Sequence, residues 1–215
     1  MMTQTNQNHP KHQVLIEVGN AISHGIGAAL AIAGLVFLII RAAHTGSPMR
    51  IVTFSIYGSI LILFYLSSTL FHALVFTRAK KVFQIFDHSM IFLLIAATYT
   101  PYCLVSIKGW LGWTLFGVVW ALAICGVVYK SIWLKGKSKY STILYILMGW
   151  LCVIAFVPLW HSLGPVGFGL LFLGGIAFTL GTLFYSKPTP YTHFIWHFFV
   201  LAGTILMYFS ILFYV

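Results

Sequence analysis

Seven apolar runs, each about as long as a membrane is thick, fill nearly all of this 215-residue sequence. A transmembrane helix needs ~20 apolar residues, and the runs fall at about 19–40, 51–74, 83–105, 110–129, 141–160, 165–185 and 193–214. No soluble core accommodates them. The chain is 60% hydrophobic and only 7% charged, with a mean hydropathy of +0.99, well outside the range of a soluble domain of this length. Stretches such as Gly34 to Ile40 and Gly167 to Leu173 show no in-out alternation, which argues for helices over a barrel. The expectation is an all-α polytopic membrane protein: a single seven-helix transmembrane bundle over residues 14–215, preceded by a disordered cytoplasmic tail over 1–13.

Orientation follows from the basic residues in alternate loops. Lys11, Arg78, Lys80, Lys81, Lys130, Lys135, Lys137, Lys139 and Lys187 make nine on one side, against Arg41, Arg50 and Lys108, three on the other. The excess predicts a cytoplasmic N-terminus and, with an odd number of spans, a C-terminus outside. The formal charge of +10 therefore reflects loops that meet anionic lipid headgroups, and nucleic-acid binding is excluded as a role. Cys103, Cys125 and Cys152 stand singly in apolar stretches, so they suggest neither a disulfide framework nor a thiolate site.

Small residues in Gly25-Ile26-Gly27-Ala28-Ala29, Gly174-Gly175 and Gly181 mark close helix packing. Pro101 should bend or end the third helix, because it leaves the carbonyl of Ala97 without its helical donor. Trp110, Trp113, Trp133, Trp150 and Trp160 lie near the predicted ends, as in aromatic belts.

The chemistry lies in a few polar residues. Glu17 and Asp87 are the only two carboxylates in the sequence. Glu17, Asn20 and His24 open the first run, His72 closes the second, Asp87 opens the third, and His193 and His197 open the seventh. In the orientation above all of them lie at the cytoplasmic ends, whereas His44 and His161 lie at the opposite ends. His193 and His197 share a helix face through their i, i+4 spacing. A pair facing lipid headgroups is the plain alternative, but ionisable groups at matched depth on four helices point to a shared site. His72, His193 and His197 supply three neutral imidazoles, the ligand set of a catalytic zinc ion whose fourth position is left to water. Asp87 would hold that water or ligate the ion, acting as general base. Ser68, one turn before His72, would orient that ligand or steady an oxyanion; a Ser–His nucleophile and a hydroxyl bonded to its own helix are the alternatives. Glu17, Asn20 and His24 would hold a ligand imidazole or carry protons, and a helix cap explains Glu17 equally well. His88 points ~100° away from Asp87 around the helix, so only one of the two can face the ion.

Taken in order, Glu17-x-x-Asn20-x-x-x-His24, Ser68-x-x-x-His72, Phe86-Asp87-His88, Ala97-Thr98-Tyr99-Thr100-Pro101 and His193-x-x-x-His197 resemble the hemolysin III proteins, the bacterial branch of the progestin and adipoQ receptor (PAQR) family. The resemblance implies seven helices in a bacterial plasma membrane, zinc on His72, His193 and His197, and a water held by Asp87. It also implies kinship with membrane metal-dependent amide hydrolases and a link to membrane homeostasis. Three readings follow. One is a hydrolase that acts on a lipid amide or ester entering from the inner leaflet. Another is a lipid sensor or homeostasis factor with structural zinc. The last is a pore or transporter, against which the lack of an ionisable series in the outer half argues.

Overall fold

The computed structural model describes residues 9–132, 139–187 and 189–215, and every regular element among them is helical. The α-helices are α1 (His9–His44), α2 (Pro48–Ala73), α3 (Lys80–Pro101), α4 (Gly109–Ile132), α5 (Lys139–Trp150), α6 (Phe156–Tyr185) and α7 (Pro190–Tyr214). A π-helical turn, Tyr102–Ile107, follows α3, and a 3₁₀ segment, Leu151–Ala155, joins α5 to α6. Of the expected tail, residues 1–8 lie outside the described residues, and 9–13 already belong to α1. Pro10 sits in the first turn, where its missing N–H leaves no bond unmade, and polar residues without a breaker do not stop a helix. Trp133, Lys135 and Lys137 also lie outside the described residues.

Among the described residues six helical stretches are long and apolar enough to cross a membrane, and the chain is a multi-pass membrane protein. One of these, Lys139–Tyr185, has 47 residues and would span ~70 Å if straight. It is not straight. Trp150 Nε1 donates to Thr179 Oγ1 at 3.1 Å, although a continuous helix would hold those residues ~44 Å apart. The rings of Phe156 and Trp160 meet Phe168 with centroids 5.1 and 5.5 Å apart. The chain doubles back at Gly164 (φ 65°, ψ 178°), a conformation that favours a residue without Cβ, and Pro165 starts the returning limb.

Local chemistry sets the other boundaries. Ser47 caps α2, its hydroxyl accepting from Arg50 N at 3.4 Å, with Pro48 in the first turn. Thr189 and Pro190 start α7 in the same way, Thr189 Oγ1 accepting from Thr192 N at 3.3 Å. At Pro101 α3 ends, and the π turn that follows closes where Lys108 N donates to Cys103 O at 2.9 Å.

Packing is closest where glycine replaces a side chain. A Cβ at Gly27 would stand 2.6 Å from the Tyr65 ring, one at Gly174 2.8 Å from Met207, and one at Gly181 2.7 Å from Trp196. Gly25 and Gly175 are not close-contact positions: their nearest neighbours are at 3.7 Å (Thr69) and 4.0 Å (Trp150). The last helix holds the bundle together. Tyr208 donates to Gly34 O on α1 (3.1 Å), Thr204 pairs with Tyr65 on α2 (2.5 Å), and Ser210 donates to Gly167 O on α6 (2.8 Å). At its far end Arg41 Nε donates to Leu212 O at 3.1 Å and Arg50 Nε to Val215 O at 2.8 Å. These cations meet the carbonyl end of the helix, where positive charge is favoured.

Candidate metal centre

At the opposite end of α7, the Thr189–Pro190 start places His193 in the first turn and His197 one turn later, facing α1 and the last turn of α2. One ligand nitrogen from each of His72, His193 and His197 lies within 4.8 Å of the others, and this triad can hold a metal ion. His72 Nε2 and His193 Nε2 are 3.3 Å apart. Two imidazole nitrogens at that distance share a proton or have a cation between them. A tetrahedral ion with nitrogen ligands at ~2.0–2.1 Å sets its donors ~3.3–3.4 Å apart, so this pair already has the required spacing. Side-chain movement of ~1.5 Å at most closes the third imidazole onto the same point, given the 4.8 Å limit.

Helix α1 supplies the surroundings. Glu17 Oε2 lies 2.6 Å from His72 Nδ1. A carboxylate only accepts, so Nδ1 carries the hydrogen and the Nε2 lone pair faces the triad. Asn20 brings its amide to 3.5 Å from the same Nδ1. His24 meets His197 face to face, with centroids 3.7 Å apart and planes 16° from parallel. It is 2% exposed, and among the described residues neither ring nitrogen has a hydrogen-bond partner, so it touches the triad by stacking. Beside it stands Ser23, a residue absent from the sequence pattern, whose Oγ lies 3.0 Å from His197 Nδ1. No spacing signal marks Ser23: six residues after Glu17, it lies ~120° around the helix, off the stripe of Glu17, Asn20 and His24.

Asp87 is buried, but it is not among the donors that converge on the triad. Its Oδ2 lies 3.8 Å from His88 Nε2, so these chain neighbours reach each other despite leaving the helix in different directions. His88 O accepts from Tyr145 OH at 2.9 Å, which ties the start of α3 to α5. Lys130, counted from sequence among the loop cations, is 2% exposed. It lies in the last turn of α4 and interacts electrostatically with Asp87. The placement follows from α3–α4 packing: Gly126 receives the Phe92 ring, and one turn along each chain Lys130 and His88 come level. Ser68 is buried one turn before His72, whereas His44 and His161 are exposed, outside the triad.

Near the centre lies an apolar pocket between α3, α5, α6 and α7, lined among others by Ile95, Tyr99, Trp150, Phe178, Trp196 and Val200. Trp196 and Val200 flank His197 on α7. Trp150 belongs to this wall and not to an exposed belt, unlike Trp110, Trp113 and Trp160, which are exposed. Tyr99 OH donates to Gly149 O at 2.8 Å and accepts from Cys152 N at 2.7 Å, satisfying the backbone where α5 gives way to the 3₁₀ segment.

The family described as "Haemolysin-III related" matches residues 12–208. A Bacillus subtilis (strain 168) protein named "Hemolysin-3 homolog" is 51% identical over 199 residues, covering 92% of this chain and 93% of its own. "Hemolysin-3" of Bacillus cereus is 46% identical over 200 residues, covering 93% and 91% respectively. "Monocyte to macrophage differentiation factor" of Homo sapiens is 25% identical over 167 residues, covering 74% and 69%.

Proposed function

Because this chain belongs to the haemolysin III family and gathers three imidazoles beside an apolar cavity, we propose that it is a zinc-dependent hydrolase of lipid amides or esters. The observation that carries the reading is the 3.3 Å approach of two imidazole nitrogens, with a third close by and an apolar cavity reaching Trp196 and Val200, which flank His197 along α7. Zinc is the proposed ion because three neutral imidazoles with a fourth position left to water are the ligand set of a catalytic zinc.

Counting the limbs on either side of Gly164 as two spans gives seven, with the metal centre at the cytoplasmic side. The loop charges support this orientation. Of the three basic residues on the minority side, Arg41 and Arg50 are held by carbonyls of α7, so packing accounts for their position. A lipid would then enter from the inner leaflet.

Bound zinc supplies Lewis acidity, which polarises a carbonyl and acidifies water. The protein supplies the rest. Glu17 holds the His72 ring with Nε2 presented, and the cavity takes the acyl chain and excludes bulk water. Asp87 accepts a proton from the attacking water at its carboxylate and returns it to the leaving nitrogen or oxygen. His88, 3.8 Å from Asp87 Oδ2, relays protons onward. Ser68 steadies the developing oxyanion.

The test is elemental analysis of detergent-purified protein beside the His193→Ala/His197→Ala variant, together with turnover of a fluorescent N-acyl lipid. We expect near-stoichiometric zinc that is lost in the variant, and an Asp87→Asn protein that keeps its zinc but not its turnover. A folded protein without metal sinks the hydrolase reading. Zinc without turnover on any lipid amide or ester favours a structural ion in a lipid-sensing or homeostasis protein.

A further inference from the structure

We propose that Ser23 is a positioning residue of the metal centre, which commits His197 to bind the ion through Nε2; the inference rests on the metal-centre reading above. Ser23 Oγ lies 2.9 Å from Asn20 O and 3.0 Å from His197 Nδ1. A serine hydroxyl has one proton to give and two lone pairs with which to accept. The proton goes to the Asn20 carbonyl, which can only accept. Toward His197 the oxygen therefore presents a lone pair, and Nδ1 must be the N–H of the ring. In a neutral imidazole that leaves the Nε2 lone pair as the ligand. The contact is 7% exposed at Ser23 and 1% at His197, so water does not compete for either group.

The same logic operates at His72, where Glu17 accepts from Nδ1. One helix, α1, thus chooses the ligating nitrogen on two others. A carboxylate does so at the rim, where its side chain keeps 20% exposure. A neutral hydroxyl does so at the deeper ligand, where a second charge would be costly to bury. The stacked ring of His24 braces the other face of His197, so the hydrogen bond fixes the ring's rotation and the stack fixes its tilt.

Partners of this kind typically contribute 10–100-fold to metal affinity. Zinc affinity is measured by competition with a chromophoric chelator for the native chain, Ser23→Ala and Ser23→Thr. Histidine side-chain nitrogen NMR of the loaded proteins identifies the ligating nitrogen. We expect Ser23→Ala to bind ~10–100-fold more weakly, with thermal unfolding of the metal-free protein little changed. Ser23→Thr, which keeps the hydroxyl, should recover most of the loss. His197 of the native protein should show Nε2 bound and Nδ1 protonated. Native zinc binding with unchanged affinity in Ser23→Ala, or His197 bound through Nδ1 in the native protein, overturns the role of Ser23 while leaving the centre standing. A native protein that takes up no zinc overturns both.

Discussion

Replacing Gly27 by alanine should destabilise the bundle and loosen the metal centre, whereas the same change two residues earlier, at Gly25, should do neither. Both glycines lie inside α1, and alanine at either removes a helix penalty of ~1 kcal/mol. At Gly25 the new Cβ would meet Thr69 Cγ2 at 3.7 Å, an ordinary contact, so the gain stands. At Gly27 it would stand 2.6 Å from Tyr65 Cδ1 and Cε1, about 1 Å inside contact distance. That ring has little freedom. Its hydroxyl is held at 2.5 Å by Thr204, and its edge meets His24 with centroids 5.1 Å apart. Overpacking costs ~1–3 kcal/mol, and a strained Tyr65–Thr204 bond adds ~1 kcal/mol. Set against the helix gain, Gly27→Ala should lose ~1–3 kcal/mol. The displacement passes through Tyr65 to His24 and so to His197, and zinc affinity should fall with stability. Denaturant titration in detergent, with Trp fluorescence as the signal, measures the first effect and chelator competition the second. If Gly27→Ala proved as stable as Gly25→Ala, the close approach of α1 to α2 would be wrong.

Other consequences are open to test. Glu17→Gln exchanges a charge-assisted bond at His72 for a neutral one and should weaken zinc binding ~10-fold by chelator competition. Lys130→Met and Asp87→Asn should each destabilise the chain, because each removes one end of a buried electrostatic interaction. The double variant should cost less than the sum, and strict additivity in a double-mutant cycle would separate the two residues. Lys108, exposed before α4, has φ 57° and ψ −172°, a conformation that strains a side-chain-bearing residue. Lys108→Gly should raise stability by ~1 kcal/mol, and a loss on thermal unfolding would contradict that backbone geometry.

How much of this was legible in the sequence depends on whether a feature is set by periodicity or by neighbours. The apolar runs are set by membrane thickness, and among the described residues they form six helical stretches long and apolar enough to cross a membrane, the fifth and sixth runs falling within one stretch, Lys139–Tyr185. The convergence of His72, His193 and His197 could be anticipated because each histidine stands at the end of a run and loop parity brings those ends together. Ser23 could not be read the same way. Six residues of helix place it ~120° from Glu17, off the stripe that links Glu17, Asn20 and His24, on a face that matters only because α7 packs there. Lys130 read as a loop cation because the apolar run fades at Tyr129, yet α4 continues to Ile132 and carries the side chain inward. Arg41 and Arg50 read as topology signals because their partners are backbone carbonyls, which no side-chain pattern records. Trp150 read as a belt residue because the run looked uniformly helical, with nothing to announce the 3₁₀ segment that follows it.

The contact between Glu17 and His72 also bears on how such a chain is made. His193 lies 121 residues beyond His72, and His197 lies 174 beyond Ser23, so the ribosome delivers two of the three imidazoles long after α1 and α2 have reached the bilayer. During that interval Asn20, Ser23, His24 and His72 face lipid or early neighbours without α7. Glu17 and His72 can pair as soon as the first hairpin forms, hiding the most costly group of the early helices. The unfinished protein then holds a half-built site in a form the membrane tolerates, and the arrival of the last helix completes the bundle and the centre in one event.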